Sequence, residues 1–342
     1  MELRAKAVAA VGFALVMAAA AAGPVAAQDS VADFYHGKTI RLIIGYSPGG
    51  GYDSYARLVA QFMGKYIPGN PAIVPQNMPG AGSRKAAAFM EKVAKQDGTF
   101  LATADQALAV AQAMHDPRLK VDAGSFNYIG STVQDNNVLI TWHTSGIKTI
   151  DDAMKKSVPI GATGSATGSA YPKVMNAILG TKFKIVGGYP GGKDINMAME
   201  NGEVAGRGSV NWASLKPLGW QQGGKVNVLV QVGLRSEPDL KGVPLLFALA
   251  KDDNDRKMLR LLCSAAAVGR PIFTTPNVPK ARVEALRKAF DKMVADPDFL
   301  KAAESEGLNI DPTSGAELQK TVQDILATPP ALGQKLGSII GF

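Results

Sequence analysis

The run from residue 40 to residue 63, IRLIIGYSPGGGYDSYARLVAQFM, constrains this chain more than any other. Positions 41–46 form a short apolar run with a basic start, 47–51 is a turn of Pro and Gly, and Asp53 opens a helical pattern. Tyr55, Leu58, Val59, Phe62, Met63 and Tyr66 recur at the spacing of one helix face. The order is strand, glycine loop, helix. A glycine loop entering a helix leaves backbone N–H groups without helical partners, and the helix dipole adds partial positive charge there. Such a junction either binds an anion or is only a tight connection with Asp53 as N-cap.

Three sharper motif matches each lack a decisive partner. Gly45-Tyr46-Ser47-Pro48-Gly49 fits the G-x-S-x-G elbow of a serine hydrolase. The residue after the serine must donate its N–H to the oxyanion hole, and Pro48 has none. The only histidines are His36, His115 and His143, whereas the elbow fold places its histidine last in the triad. The segment 187–193 matches a P-loop through Lys193, but Asp194 stands where a Ser or Thr must bind Mg²⁺. The run 163–168 matches T-G-x-x-x-G without an acidic residue on a following strand to hold a ribose.

Residues 1–27 read as a cleavable secretory signal: Arg4 and Lys6, an alanine-rich run, a Gly23-Pro24 break and small residues before Gln28. The remainder of the 342 residues is long enough for two domains, and no later stretch is long and apolar enough to cross a bilayer. Cys263 is the only cysteine, so neither an intrachain disulfide nor a structural zinc site is expected. The formal net charge of +8 favours anionic ligands or membrane surfaces. The Lys and Arg residues are scattered without a basic, aromatic-laced block, which argues against nucleic acid.

Strand, Gly/Pro loop and helix recur along the chain, with strands expected at 72–77, 100–103, two within 126–142, 158–161, 183–186, 203–210, 226–232 and 264–272. That alternation predicts an α/β fold with a largely parallel sheet. The hydroxyl- and glycine-rich loop 162–169, ahead of a helix, is a second anion-ready junction. Arg207 and Ser209 share one face of their strand. Arg207 either faces a cleft, where a guanidinium would hold a carboxylate in two bonds, or lies on the surface of an edge strand.

Ser47-Pro48-Gly49-Gly50-Gly51-Tyr52-Asp53, Asn77-Met78-Pro79-Gly80-Ala81-Gly82, Asp97-Gly98-Thr99, the loop 161–169, Tyr189-Pro190-Gly191-Gly192 and Gly202-Glu203-Val204 occur in that order. Jointly they resemble the Bug-type (TctC-like) extracytoplasmic solute receptors of tripartite tricarboxylate transporters, over nearly all of the chain after residue 27. The resemblance implies a two-domain α/β fold of the periplasmic-binding-protein type (Venus flytrap, type II) with the ligand cleft between domains. Domain 1 would take 28–135 and 265–342, and domain 2 would take 136–264. The implied protein is a monomeric periplasmic receptor without cofactor, metal or catalytic residues. It would bind a small organic carboxylate and serve the transporter's membrane subunits. The competing class is a secreted α/β enzyme, such as a serine hydrolase using Ser47.

In that family the carboxylate is held by backbone N–H groups, hydroxyls and ordered waters at the glycine loops. The implied contacts here are Tyr46, Ser47, Gly49, Gly50, Gly51 and Asp53, with Gly82 and Asp105, from one domain. The other would supply Thr163, Gly164, Ser165, Thr167, Gly168 and Ser169, then Tyr189, Gly191, Gly192, Arg207 and Ser209. The sequence departs from the family at Ala205 and near Ser209, where acidic residues are common. Arg207 replaces an apolar residue, and 251–270 follows the usual pattern poorly.

Overall fold

The computed structural model describes residues 30–164 and 167–341. The expected signal segment 1–27 and the expected contact Ser165 lie outside the described residues. In chain order the strands are β1 (Thr39–Ile44), β2 (Ala72–Asn77), β3 (Phe100–Thr103), β4 (Asn127–Ser131), β5 (Asn137–Trp142), β6 (Val158–Gly161), β7 (Phe183–Val186), β8 (Gly206–Asn211), β9 (Val226–Val232), β10 (Pro271–Thr274) and β11 (Thr313–Ser314).

They form two sheets, one ordered β11-β4-β10-β3-β1-β2 and the other β7-β6-β8-β5-β9. Neither is largely parallel, which corrects the expectation from strand–helix alternation. β1 pairs in parallel with β2 and β3, and β6 with β7 and β8. The remaining pairings are antiparallel. β4 carries the chain out of the first sheet and β10 brings it back, so these two strands run in opposite directions and pair antiparallel. Pro75, which has no N–H to give to a ladder, is tolerated in β2 because that strand is at the sheet edge.

The expected strand at 264–272 is shorter in the structure. The helix Asp253–Cys263 continues into a helical turn, Ser264–Ala267, and only Pro271–Thr274 is extended. Gly269 makes the break with a φ of +63°, a conformation that favours glycine. Its backbone also lies so close to the Val133 carbonyl that a side chain would collide.

The helix Gly51–Met63 buries Tyr55, Leu58, Val59 and Met63 in the core built on the first sheet. Each such aliphatic side chain contributes about 1.5–3 kcal/mol on burial. The two segments joining the sheets run side by side. The Arg270 N–H donates to Ser131 Oγ at 2.9 Å, and Gln134 Nε2 donates to the Ala267 carbonyl at 2.9 Å. The C-terminal helix Pro330–Ile339 packs on the helix Thr167–Leu179, and Lys173 Nζ donates to the Ile340 carbonyl at 3.2 Å.

Candidate anion-binding cleft

Two helices begin on opposite walls of the space between the sheets. Gly51–Met63 follows the N-cap Gly50, and Gly192–Glu200 follows the N-cap Gly191; neither cap has a side chain to bond the first N–H groups. The two starts nearly touch, since a Cβ on Gly50 would lie 3.7 Å from the Gly192 nitrogen and 3.8 Å from that of Lys193. Beside them is a cavity of about 40 Å³, lined in part by Tyr46, Tyr52, Thr163, Thr167, Ser209 and Asn211. Uncapped N–H groups and the positive ends of two helix dipoles give it an anion-favouring field.

Two arginines reinforce that field. Arg270 is only 2 % exposed, with its guanidinium carbon 4.8 Å from the Tyr52 ring centre and 4.7 Å from that of Tyr55. It donates to Ser214 Oγ, while its Nε is buried and has no partner among the described residues. Arg207 enters from β8, giving Nε–H to the Ser209 carbonyl at 2.9 Å and Nη1–H to Asn196 Oδ1 at 3.0 Å. Burial, and then the charge of Arg270, lower its pKa to about 10. No carboxylate pairs with either arginine among the described residues. Burial raises the pKa of nearby Asp135 and the charge of Arg270 opposes that rise, but the Asp135 oxygens are taken by the Ala213 N–H at 2.6 Å and Asn211 Nδ2 at 3.1 Å. Glycine permits the close approach on both sides. A Cβ on Gly51 would overlap Ser214 Oγ and lie 2.8 Å from an Arg270 nitrogen, and one on Gly192 would collide with the Arg207 guanidinium.

No family model matches the sequence, and neither does any curated protein. Solved structures do. The periplasmic binding protein BugD is 18 % identical, with a TM-score of 0.70 over 89 % of this chain and 99 % of its own. MatC from Rhodopseudomonas palustris with bound malate is 18 % identical, with a TM-score of 0.70 over 88 % and 99 %. An R. palustris protein with adipate is 17 % identical, with a TM-score of 0.68 over 89 % and 98 %. The fold is that of the Bug/TctC-type periplasmic binding proteins.

Within this Bug/TctC fold the cavity gathers Tyr46, Gly50, Gly51, Thr163, Thr167, Gly192, Arg207 and Ser209 of the expected contacts. Arg207 lies on β8, between β6 and β5, so the edge-strand alternative is corrected: the strand is interior and its arginine lines the cavity. The others sit around it. Ser47, Gly49 and Gly191 are at the mouth, where Ser47 Oγ donates to Asp194 Oδ2 at 2.7 Å and the Lys193 side chain lies over Gly49. Gly82 and Asp105 line a separate cavity of about 20 Å³. Burial raises the Asp105 pKa, and its carboxylate accepts from Tyr46 Oη at 2.6 Å and Thr167 Oγ1 at 3.2 Å. Gly164 faces Gly82, and Gly168 packs under Thr163. Ser169 and Tyr189 are half-buried and do not line the cavity.

Asp53 is neither the N-cap nor a cavity residue; it is the third residue of its helix and turns back on the loop. Its carboxylate accepts from the Gly49 N–H at 2.8 Å, Asn77 Nδ2 at 2.7 Å and Arg57 Nε at 2.9 Å. Burial acts to raise its pKa, but these bonds outweigh it and hold the group below the usual carboxylate value. Asp53 therefore fixes the shape of the glycine loop. As for the hydrolase alternative, the Ser47 hydroxyl is bonded to an aspartate, and His36, His115 and His143 are all exposed.

Asn137, Asn211, Ser214 and Arg270 line the cavity without having been expected there. Arg270 left a signal in the sequence, a lone cation directly before the short apolar strand Pro271–Thr274. The two asparagines and Ser214 left none.

Proposed function

We propose that this chain is a periplasmic solute-binding receptor that captures a small organic carboxylate in the cleft between two domains. The reading takes residues 28–135 and 265–342 as one domain, 136–264 as the other, and 1–27 as the export signal. The carrying observation is the convergence of two uncapped helix starts and two guanidinium groups, without an ion-paired carboxylate, on one cavity. About three charge-assisted hydrogen bonds at roughly 1.5–3 kcal/mol each match the ~8 kcal/mol of a micromolar Kd, before ordering costs are subtracted. The fold shared with MatC, a protein with bound malate, supports the same reading.

The receptor works as a monomer and hands its ligand to the membrane subunits of a tripartite tricarboxylate transporter. Those subunits must tell a loaded receptor from an empty one. Closure supplies the difference if the ligand binds the closed form more tightly, as it does when its contacts come from both walls. Native mass spectrometry of receptor purified from the periplasm without added ligand tests the reading. An organic acid as the retained species is expected, and a neutral solute or a peptide would count against it.

A further inference from the structure

We propose that Arg207 and Arg270 together set the charge selectivity of the cleft, and that the ligand they select is a compact dianion. The inference rests on the reading of the cleft as an anion-receptor site and adds which anions it accepts. The two guanidinium groups come from opposite sheets, and each abuts the first residue of one uncapped helix, Arg270 against Gly51 and Arg207 against Gly192. Arg270 is buried with its Nε unpartnered, and the pKa of Arg207 is depressed partly by Arg270 itself. The site therefore holds two cations that repel each other in a poorly solvated space.

Asp135 lies near Arg270 but its oxygens are bonded to Ala213 and Asn211, so a monoanion compensates one guanidinium and leaves the other buried without an ion-paired carboxylate, which is costly. Two negative charges compensate both. Size follows from the walls. The cavity of about 40 Å³ has room for about three water-sized spheres, and contacts between its walls bracket it: Thr167 to Asp105 at 3.2 Å and Asn211 to Gln106 at 3.0 Å. A long diacid would have to break these contacts to seat its second charge. Acidic groups on neighbouring carbons would have to break fewer of them.

Calorimetry on the full receptor with propionate, succinate, adipate and sulfate tests this, for the native protein and for Arg207→Gln and Arg270→Gln. Succinate is expected to bind at least tenfold more tightly than propionate or adipate. Each substitution is expected to weaken succinate at least tenfold and propionate less than threefold. Equal binding of propionate, succinate and adipate by the native protein would overturn the proposal while leaving the carboxylate reading intact. Binding of sulfate but of no carboxylate would do the reverse. Equal losses for propionate and succinate in both variants would also overturn it. If a variant fails to fold, the native order of affinities decides alone.

Discussion

Ser47 and Asp194 meet across the mouth of the cleft, the hydroxyl donating to a carboxylate oxygen at 2.7 Å. One partner belongs to the loop before the helix Gly51–Met63 and the other to the first turn of Gly192–Glu200, so the bond exists only when the two walls are together. Ser47→Ala removes one hydrogen bond of the closed form, worth about 1 kcal/mol. Carboxylate affinity should fall by roughly fivefold to tenfold, with little change in Tm. Covalent labelling of Ser47 by a fluorophosphonate would instead revive the nucleophile reading.

Gly51→Ala and Gly192→Ala test the approach of the arginines to the helix starts. Alanine is the better helix former by about 1 kcal/mol, so on propensity alone either change would stabilise the protein. The added Cβ overlaps Ser214 Oγ at the first site and Arg207 at the second. Calorimetry should show carboxylate binding weakened at least tenfold in both variants. Unchanged affinity would mean that neither arginine needs its present position.

Asp135 predicts a pH dependence of stability. Burial, opposed in part by Arg270 and by the bonds from Ala213 and Asn211, and aided by Glu237, raises its pKa to about 6. The native state therefore binds this proton more tightly than the unfolded chain, in which the value is near 3.8. The contribution is fully present below about pH 4 and is lost as pH rises through about 6, an effect on the order of 3 kcal/mol. Denaturant unfolding between pH 4 and pH 8 checks the sign. The stability of the native protein relative to Asp135→Asn should grow as pH falls, and a pH-independent difference would exclude the assignment.

Much of the fold is legible in the sequence. The strands Ala72–Asn77, Phe100–Thr103, Phe183–Val186 and Val226–Val232 have the bounds their apolar runs imply, because Gly, Pro or polar residues punctuate them. The stretch 264–267 is ambiguous in sequence because serine and three alanines suit a helical turn as well as a strand, and packing decides between them. The site was legible where it is backbone, at Gly50, Gly51 and Gly192. The burial of Arg270 was not, because it depends on Tyr52 and Tyr55, which lie far away in sequence. Asp53 looked like a cap, and only the placement of Asn77 and Arg57 turned it toward the loop.

The paired crossing segments predict where motion is absorbed. Arg270 is tied to Ser131 and Gln134 to Ala267, so 132–136 and 264–270 should bend together as one hinge. Small-angle scattering with and without saturating succinate should show the radius of gyration falling on binding. An unchanged profile would indicate a rigid pocket.

Calorimetric titration of the purified protein with mono-, di- and tricarboxylates of three to nine carbons, alongside neutral solutes of similar size, tests the central claim most directly. The account predicts that at least one carboxylate binds with a Kd in the micromolar range or below, and that the neutral solutes give no heat of binding. Binding of a neutral solute with no heat from any carboxylate would contradict it.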